Sequence, residues 1–130
     1  ILIGLLGDIR FRVSDSRTLT IKKLKREIST EWNTMDRIAT KPMVEYGGPK
    51  LQTASMEIVL DASLGVKPKS LLRTLDRMAE GSEAHELVLG KRMVGKNKWV
   101  ITKCSEVYDV ILRGGEIFKA TVTLTLQEYV

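Results

Sequence analysis

The sequence contains one cysteine, Cys104, and one histidine, His85. A cysteine can act as a nucleophile with a histidine as its general base. A catalytic thiol needs partial exposure and a positive neighbour that favours the thiolate. Cys104 instead lies in the apolar run Trp99–Leu112, where a buried small hydrophobe is expected. No second histidine or cysteine lies near His85 to complete a metal site. We therefore predict no enzyme activity, no metal and no cofactor.

One basic stretch, Gly90–Asn97, has the glycine spacing of a weak phosphate-binding loop. It lacks the Lys-Ser or Lys-Thr ending of a P-loop, and no strand-to-helix transition is predicted around it. Gly4 and Gly7 lie in an apolar, strand-like stretch, so they do not form a dinucleotide-binding fingerprint. The glycines therefore indicate turns and strand ends.

The composition is that of an ordinary globular chain. Of its 130 residues, 43% are hydrophobic and 28% charged, which predicts a single domain over residues 1–130 with a modest core. No apolar run reaches the roughly 18 residues that span a bilayer, so no membrane partner is expected. The apolar start has no basic residues before it, as a signal peptide would, and residues 1–13 are interpreted as a first strand.

The net charge of +5 comes with one dense basic segment. Its members are Lys22, Lys23, Lys25 and Arg26. A solvated face or an acidic protein partner explains such a cluster, because phosphate binding requires a concentrated stripe of charge and acidic residues are mixed among the basic ones along the chain. A small nucleic-acid-binding module is the alternative function that this charge keeps open.

Residues 14–44 fit either a helix or a strand, since apolar side chains recur at helical spacing and also alternate. Their β-branched and aromatic content favours strand, followed by a loop over residues 33–42. A short strand over residues 44–46 should end at the turn formed by Gly47, Gly48 and Pro49. Another strand is predicted over residues 55–61.

One α-helix is predicted over about residues 70–80, with a single apolar stripe and Pro68 before it. Gly81 should end it in a left-handed conformation. A helix of this length is unstable alone and must lie on the sheet. A short strand over residues 87–89 and a basic loop over residues 90–98 should follow.

Two long β-rich runs, residues 99–112 and 118–130, flank Gly114 and Gly115 and predict a hairpin. In the second run, alternation sets an apolar side against a polar one. Thr121, Thr123 and Thr125 on the polar side are candidate inter-subunit residues, able to line a lumen or a seam between sheets, or to face solvent in a monomer. The free edges of this hairpin are expected to pair with neighbouring subunits. Trp32 and Trp99 are expected to be core or interface anchors.

Seven segments, taken in order, resemble the GpU family of phage tail proteins. They are Trp32, Val44–Pro49, Ser55–Leu60, Leu72–Gly81, Leu87–Gly95, Trp99–Glu106 and Lys119–Leu126. The chain departs from the family pattern in its longer, more basic residues 14–30, in Lys91 where a glycine is expected and in Val122 where an aromatic residue is common.

The resemblance implies a virion structural protein of the α+β class, mainly β. Its fold would be a tail-tube-like β-sandwich or partly closed barrel with one flanking helix. It also implies a hexameric ring at the end of the tail tube, as a baseplate-proximal initiator or an adapter. The implied partners are the tail tube protein, the tape measure protein and the baseplate hub proteins, with DNA only in transit through the lumen. The protein would be assembled in the host cytoplasm and lie in the virion tail, with its basic segment against an acidic neighbour.

Overall fold

A computed structural model describes residues 2–7, 9–13, 18–19 and 21–130. Within these residues the chain forms eleven strands and one α-helix, with short 3₁₀ turns at Ala62–Leu64 and Arg113–Gly115. The elements in chain order are β1 (Leu2–Leu6), β2 (Ile9–Val13), β3 (Thr18–Leu19), β4 (Ile21–Glu27), β5 (Thr30–Met35), β6 (Met43–Pro49), β7 (Thr53–Asp61), α1 (Pro68–Glu80), β8 (Leu87–Leu89), β9 (Arg92–Met93), β10 (Lys98–Ile111) and β11 (Ile117–Tyr129).

The strands form three antiparallel sheets. One has five strands in the order β3-β2-β1-β8-β9, a second has four in the order β10-β11-β7-β4, and β5 pairs only with β6. The predicted class, α+β and mainly β with one helix, is confirmed. The described residues contain no closed barrel. No helix among them is long and apolar enough to cross a bilayer.

The start of the chain is a hairpin, so the prediction of one strand over residues 1–13 is wrong. Strands β1 and β2 pair antiparallel, with Leu5 opposite Arg10. Gly7 lies between them at φ +55°, a conformation that side chains rarely adopt. A Cβ added at Gly7 would come within 2.6 Å of His85 Nδ1, so a residue with a side chain would also be too large for this turn.

The preference for strand within residues 14–44 is confirmed by β4 and β5, although residues 14–17 and 20 lie outside the described part. The loop begins later than predicted, because β5 continues to Met35. The predicted stop at Gly47, Gly48 and Pro49 is wrong, since β6 runs through all three. Strand β6 has a partner on one side only, and such edge strands tolerate proline and glycine. The strand over residues 55–61 is confirmed within β7.

The helix is confirmed and starts at Pro68. Gly81 ends it at φ −72°, so the predicted left-handed conformation is wrong, and its N–H donates to the Arg77 carbonyl at 3.0 Å. The strand over residues 87–89 is confirmed as β8. The predicted loop that follows contains β9, which pairs with β8.

The core lies between α1, the inner face of the four-stranded sheet and the β1–β2 hairpin. Its buried side chains form one cluster, since each sheet and the helix must cover an apolar face. The members are Leu6, Ile9, Phe11, Leu19, Ala54, Met56, Ile58, Leu60, Val66, Leu72, Leu75, Met78, Leu87, Trp99, Ala120, Val122, Leu124 and Leu126. The cluster fixes the four-stranded sheet with one face inward and leaves its other face and its two edges for contacts.

Candidate subunit interface

The predicted hairpin is present as β10 and β11, but only one of its strands has a free edge. Strand β11 lies between β10 and β7, with Thr123 paired to Ser105 on one side and to Glu57 on the other. The expectation that both strands offer free edges is therefore wrong for β11. Among the described strands, the two edges of this sheet are β10 and β4.

The three candidate threonines lie on the outer face of the four-stranded sheet. Ala120, Val122, Leu124 and Leu126 alternate with them and are buried. Thr121 Oγ1 donates a hydrogen bond to Asp109 Oδ2 at 2.7 Å, so this side chain is held in place. Thr123 is exposed and Thr125 half-buried. We name Thr121, Thr123, Thr125 and their outward-facing cross-strand neighbours Ser55 and Glu57 the threonine face.

Part of the basic segment lies on the same face. Lys22 pairs with Glu57 and Lys25 with Ser55, the residues of β7 that also pair with Thr123 and Thr125. Directly opposite residues of an antiparallel pair share a face. The fold therefore brings together two residue sets that are almost a hundred positions apart in the sequence.

The other members of the basic segment are placed differently. Arg26 pairs with the buried Ala54, so it belongs to the inner side of the sheet, and its Nε donates to Gln52 Oε1 at 2.9 Å. Lys23 lies in a bulge between Lys22 and Lys25 at φ +52°. The four residues therefore do not form one continuous basic stripe.

Ion pairs occupy two of these lysines. Lys23 Nζ lies 3.8 Å from Glu57 Oε2, and Lys25 Nζ lies 2.7 Å from Glu27 Oε1. The hydrogen bond with Glu27 raises the pKa of Lys25, and the same bond lowers the pKa of Glu27. Such exposed pairs contribute little to stability. Lysines and a bulge on an edge strand do prevent unwanted pairing with other sheets, and this explains the composition of β4.

The opposite edge, β10, carries no lysine over its second half, although its pairing with β11 shifts register between Tyr108 and Val110 and again between Val110 and Ile111. Trp99 at its start is buried, whereas the side chains from residue 107 onward are exposed and mostly apolar. We name this stretch, Val107–Leu112, the distal segment. Exposed fractions within it are 56% for Val107 and 57% for Ile111. Sequence reasoning missed its exposure, although the consecutive Val110, Ile111 and Leu112 break the alternation of a half-buried strand.

Strands β5 and β6 form a second exposed apolar surface. We name residues 28–51 the arm, since its two-stranded sheet pairs with no other strand among the described residues. Trp32 and Tyr46 face each other across it with ring centroids 5.0 Å apart. Trp32 is 59% exposed and Trp99 only 1%, so Trp99 is the core anchor and Trp32 is not. A single loop was predicted over most of this segment, and the arm was therefore missed.

The residues considered for catalysis are separated along β10. His85 pairs with Trp99 and Cys104 with Leu124, which places them roughly 15 Å apart along the strand. Burial, followed by the charges of Glu106 and Asp76, raises the pKa of the Cys104 thiol to about 11. The thiol is therefore protonated near neutral pH and a poor nucleophile.

Asp76, Cys104 and Glu106 form a small cluster, with their potential ligand atoms within 4.8 Å of one another. Burial, followed by a hydrogen bond with Asp76, raises the pKa of Glu106. Exposed acidic groups often lie this close together without a bound ion, so the cluster is not by itself a metal site.

Comparison with known proteins agrees with the sequence resemblance. The family model described as Phage P2 GpU matches residues 7–130, which include every element from β2 to β11. None of the curated proteins compared with the chain matches it significantly. The family match covers nearly the whole chain, and its members are structural proteins of the phage tail. The chain therefore belongs to the GpU family of phage tail proteins and is a structural component of the virion.

Proposed function

We propose that this protein forms a hexameric ring at the baseplate-proximal end of the tail tube, as the tube initiator or as an adapter. The observation that carries the proposal is the distal segment, an exposed apolar stretch on an edge strand of a sheet in a tail protein. Exposed apolar edges are aggregation sites unless another chain covers them. In a ring of identical subunits, the distal segment of each subunit would be covered by one neighbouring subunit.

Ring closure imposes a condition that this sheet meets. A ring needs heterologous contacts, in which two different surfaces of the subunit meet at each interface. Of the two edges of the four-stranded sheet, β4 is protected by its lysines, so in a ring the β10 edge of one subunit would meet a different surface of the next.

The threonine face is proposed to line the lumen of the ring. It is polar, and it carries Lys22 and Lys25 beside Glu57. A hydroxyl-rich face of mixed charge gives weak contacts to a passing chain, which suits DNA in transit and the tape measure protein. The basic segment as a whole is proposed to face an acidic neighbour, either the tape measure or an adjacent ring.

The partners of the ring are proposed to be the tail tube protein, the tape measure protein and the baseplate hub proteins, joined during assembly in the host cytoplasm. The alternative of a nucleic-acid-binding module is less favoured. Lys23 and Lys25 are paired with carboxylates, and binding a phosphate would require each to give up its partner. Arg26 lies on the other side of the sheet.

Native mass spectrometry and electron microscopy of the purified protein test the ring. We expect closed rings of the parent chain, formed alone at high concentration or with the tail tube protein present. A Val107→Lys, Ile111→Lys double variant should remain monomeric, because it adds two charges to the distal segment. Thr102→Lys, on the first half of the same strand, is the matched control and should assemble. Rings of the double variant, or no rings of the parent chain under either condition, would contradict the proposal.

A further inference from the structure

The two faces of the arm carry different side chains. Trp32 pairs with Tyr46 and Thr34 with Val44, so these side chains project from one face of the two-stranded sheet. We name the surface formed by Trp32, Val44 and Tyr46 the aromatic face. The opposite face carries the polar pair Asn33 and Glu45 beside the methionine pair Met35 and Met43. The large side chains of the aromatic face are more exposed than these methionines.

Within the described part of the chain, the aromatic face is left largely open. Trp32, Val44 and Tyr46 are 59%, 56% and 51% exposed. The Trp32 indole N–H donates to Thr30 Oγ1 at 3.0 Å, and the ring contacts Tyr46, so the face is ordered but not buried. A two-stranded hairpin is marginally stable in water by itself. Contiguous exposed apolar side chains of this kind mark an interaction site.

The fold offers several edges that could receive the arm, and three are unsuitable. Strand β4 is protected by its lysines, whereas the second half of β10 carries none; both strands contain register shifts. Strands β3 and β9, the edges of the five-stranded sheet, have two residues each. The arm strands have six and seven residues. Too few backbone groups are available on β3 and β9 to pair with them.

The distal segment fits the arm in length, apolar character and charge. Val107–Leu112 matches an arm strand in length, and the large apolar side chains in it are 40% to 57% exposed. Acidic Asp109 lies within it, with Glu106 before it and basic Arg113 after it, and basic Arg37 and Lys41 lie near the arm tip beside one acidic residue, Asp36. The opposite charges of Asp109 and of the basic residues at the arm tip favour contact between them.

We propose that the arm of one copy adds to the free edge of β10 in the next copy, with its aromatic face packed beside the distal segment. This inference rests on the proposed ring and goes beyond it by naming both sides of the contact. Strand addition satisfies the open backbone groups of β10, and the alternate apolar side chains supply specificity. Because the two surfaces differ, the contact repeats head to tail around the ring.

Cross-linking tests the contact directly. In a Cys104→Ser background, a Val44→Cys chain is mixed with a mass-tagged Val110→Cys chain and treated with a short bismaleimide. We expect a linked dimer of one tagged and one untagged chain. The matched control pairs Val44→Cys with Thr102→Cys, which is exposed on the first half of β10 and should give little product.

A second pair of variants tests the aromatic face without touching the core. Trp32→Glu should reduce ring formation by about tenfold or more, as loss of an aromatic anchor does. Asn33→Lys, on the opposite face of the same strand, places its charge across from Glu45 and should assemble like the parent. Circular dichroism should show both variants folded, because the arm lies outside the buried cluster.

Three results would overturn the inference. Linkage of two Val44→Cys chains to each other would place arm against arm. Normal rings of Trp32→Glu, or rings without the Val44–Val110 product, would show that another contact joins the subunits, and the ring itself would stand. Absence of rings from the parent chain would instead contradict the proposed function, and this contact with it.

Discussion

The β10–β11 hairpin and the arm are both antiparallel hairpins with a tryptophan in an apolar face, yet they differ in what covers that face. Strand β11 has a partner on each side, and α1 packs over the inner side of its sheet. Within the part of the chain that the structure describes, the arm has neither a third strand nor a helix over it. The exposure of Trp99, 1%, and of Trp32, 59%, measures the difference.

The comparison separates side chains that fold the subunit from side chains that are available to join it to others. A hairpin gains stability from a third strand and from packing on one face. The β10–β11 hairpin receives the third strand and the packing from its own chain. The apolar residues of the arm contribute little to the subunit's stability, and their burial requires another molecule.

The largest expected effect comes from proline in each hairpin. Thr123→Pro removes an N–H from a strand paired on both sides and should lower the free energy of unfolding by roughly 3 kcal/mol or more. Thr34→Pro in the arm should change it by less than about 0.5 kcal/mol. Urea denaturation of the dissociated chains measures both. Equal losses of unfolding free energy in the two variants would show that the arm contributes as much to the stability of the subunit as the β10–β11 hairpin does.

The two tryptophans give the next effect. Trp99→Ala leaves a cavity in the core and should cost about 3–5 kcal/mol, whereas Trp32→Ala should cost under about 0.5 kcal/mol. Each variant retains one tryptophan as a reporter. Iodide should quench the emission of Trp32 readily and that of Trp99 weakly in the dissociated chain. Quenching of Trp99 as strong as that of Trp32 would contradict its burial.

The smallest effect concerns cysteine reactivity. Burial and nearby carboxylates raise the pKa of Cys104 from 9.0 to about 11, so the folded chain keeps a proton that the unfolded chain loses. Stability should fall as pH rises from 9 towards 11, and Cys104→Ser should remove that slope. Iodoacetamide should label Cys104 slowly at pH 8 and Val44→Cys in the arm rapidly. Fast labelling of Cys104 would show that the contact between α1 and β10 leaves this thiol accessible to solvent.

The sequence predicted those elements whose side chains face the core. Alternation over residues 118–126 and the stripe of the helix were visible, because a buried face imposes its period on the chain. The turn at Gly7 and the continuation of β6 through Pro49 were missed. Local patterns do not show where a strand has only one partner, and such positions accept glycine and proline.

Strand order accounts for the errors at the candidate interface. The threonines and the basic segment were predicted as separate inter-subunit residues, and their role there remains a prediction. Their common face depends on β7 pairing with both β4 and β11, which is a long-range contact. The arm was missed because its apolar residues were too few and too interrupted to distinguish a hairpin from a loop.

The position of β11 in the sheet also bears on synthesis. This strand is the last of the described strands in chain order, yet within the described residues it alone links β10 to β7. During translation β10 emerges from the ribosome before the strand that will hold it. The sheet cannot close until residues 117–129 are made, because long-range pairing must wait for both partners. A nascent chain that lacks these residues therefore cannot form the four-stranded sheet whose edge is β10.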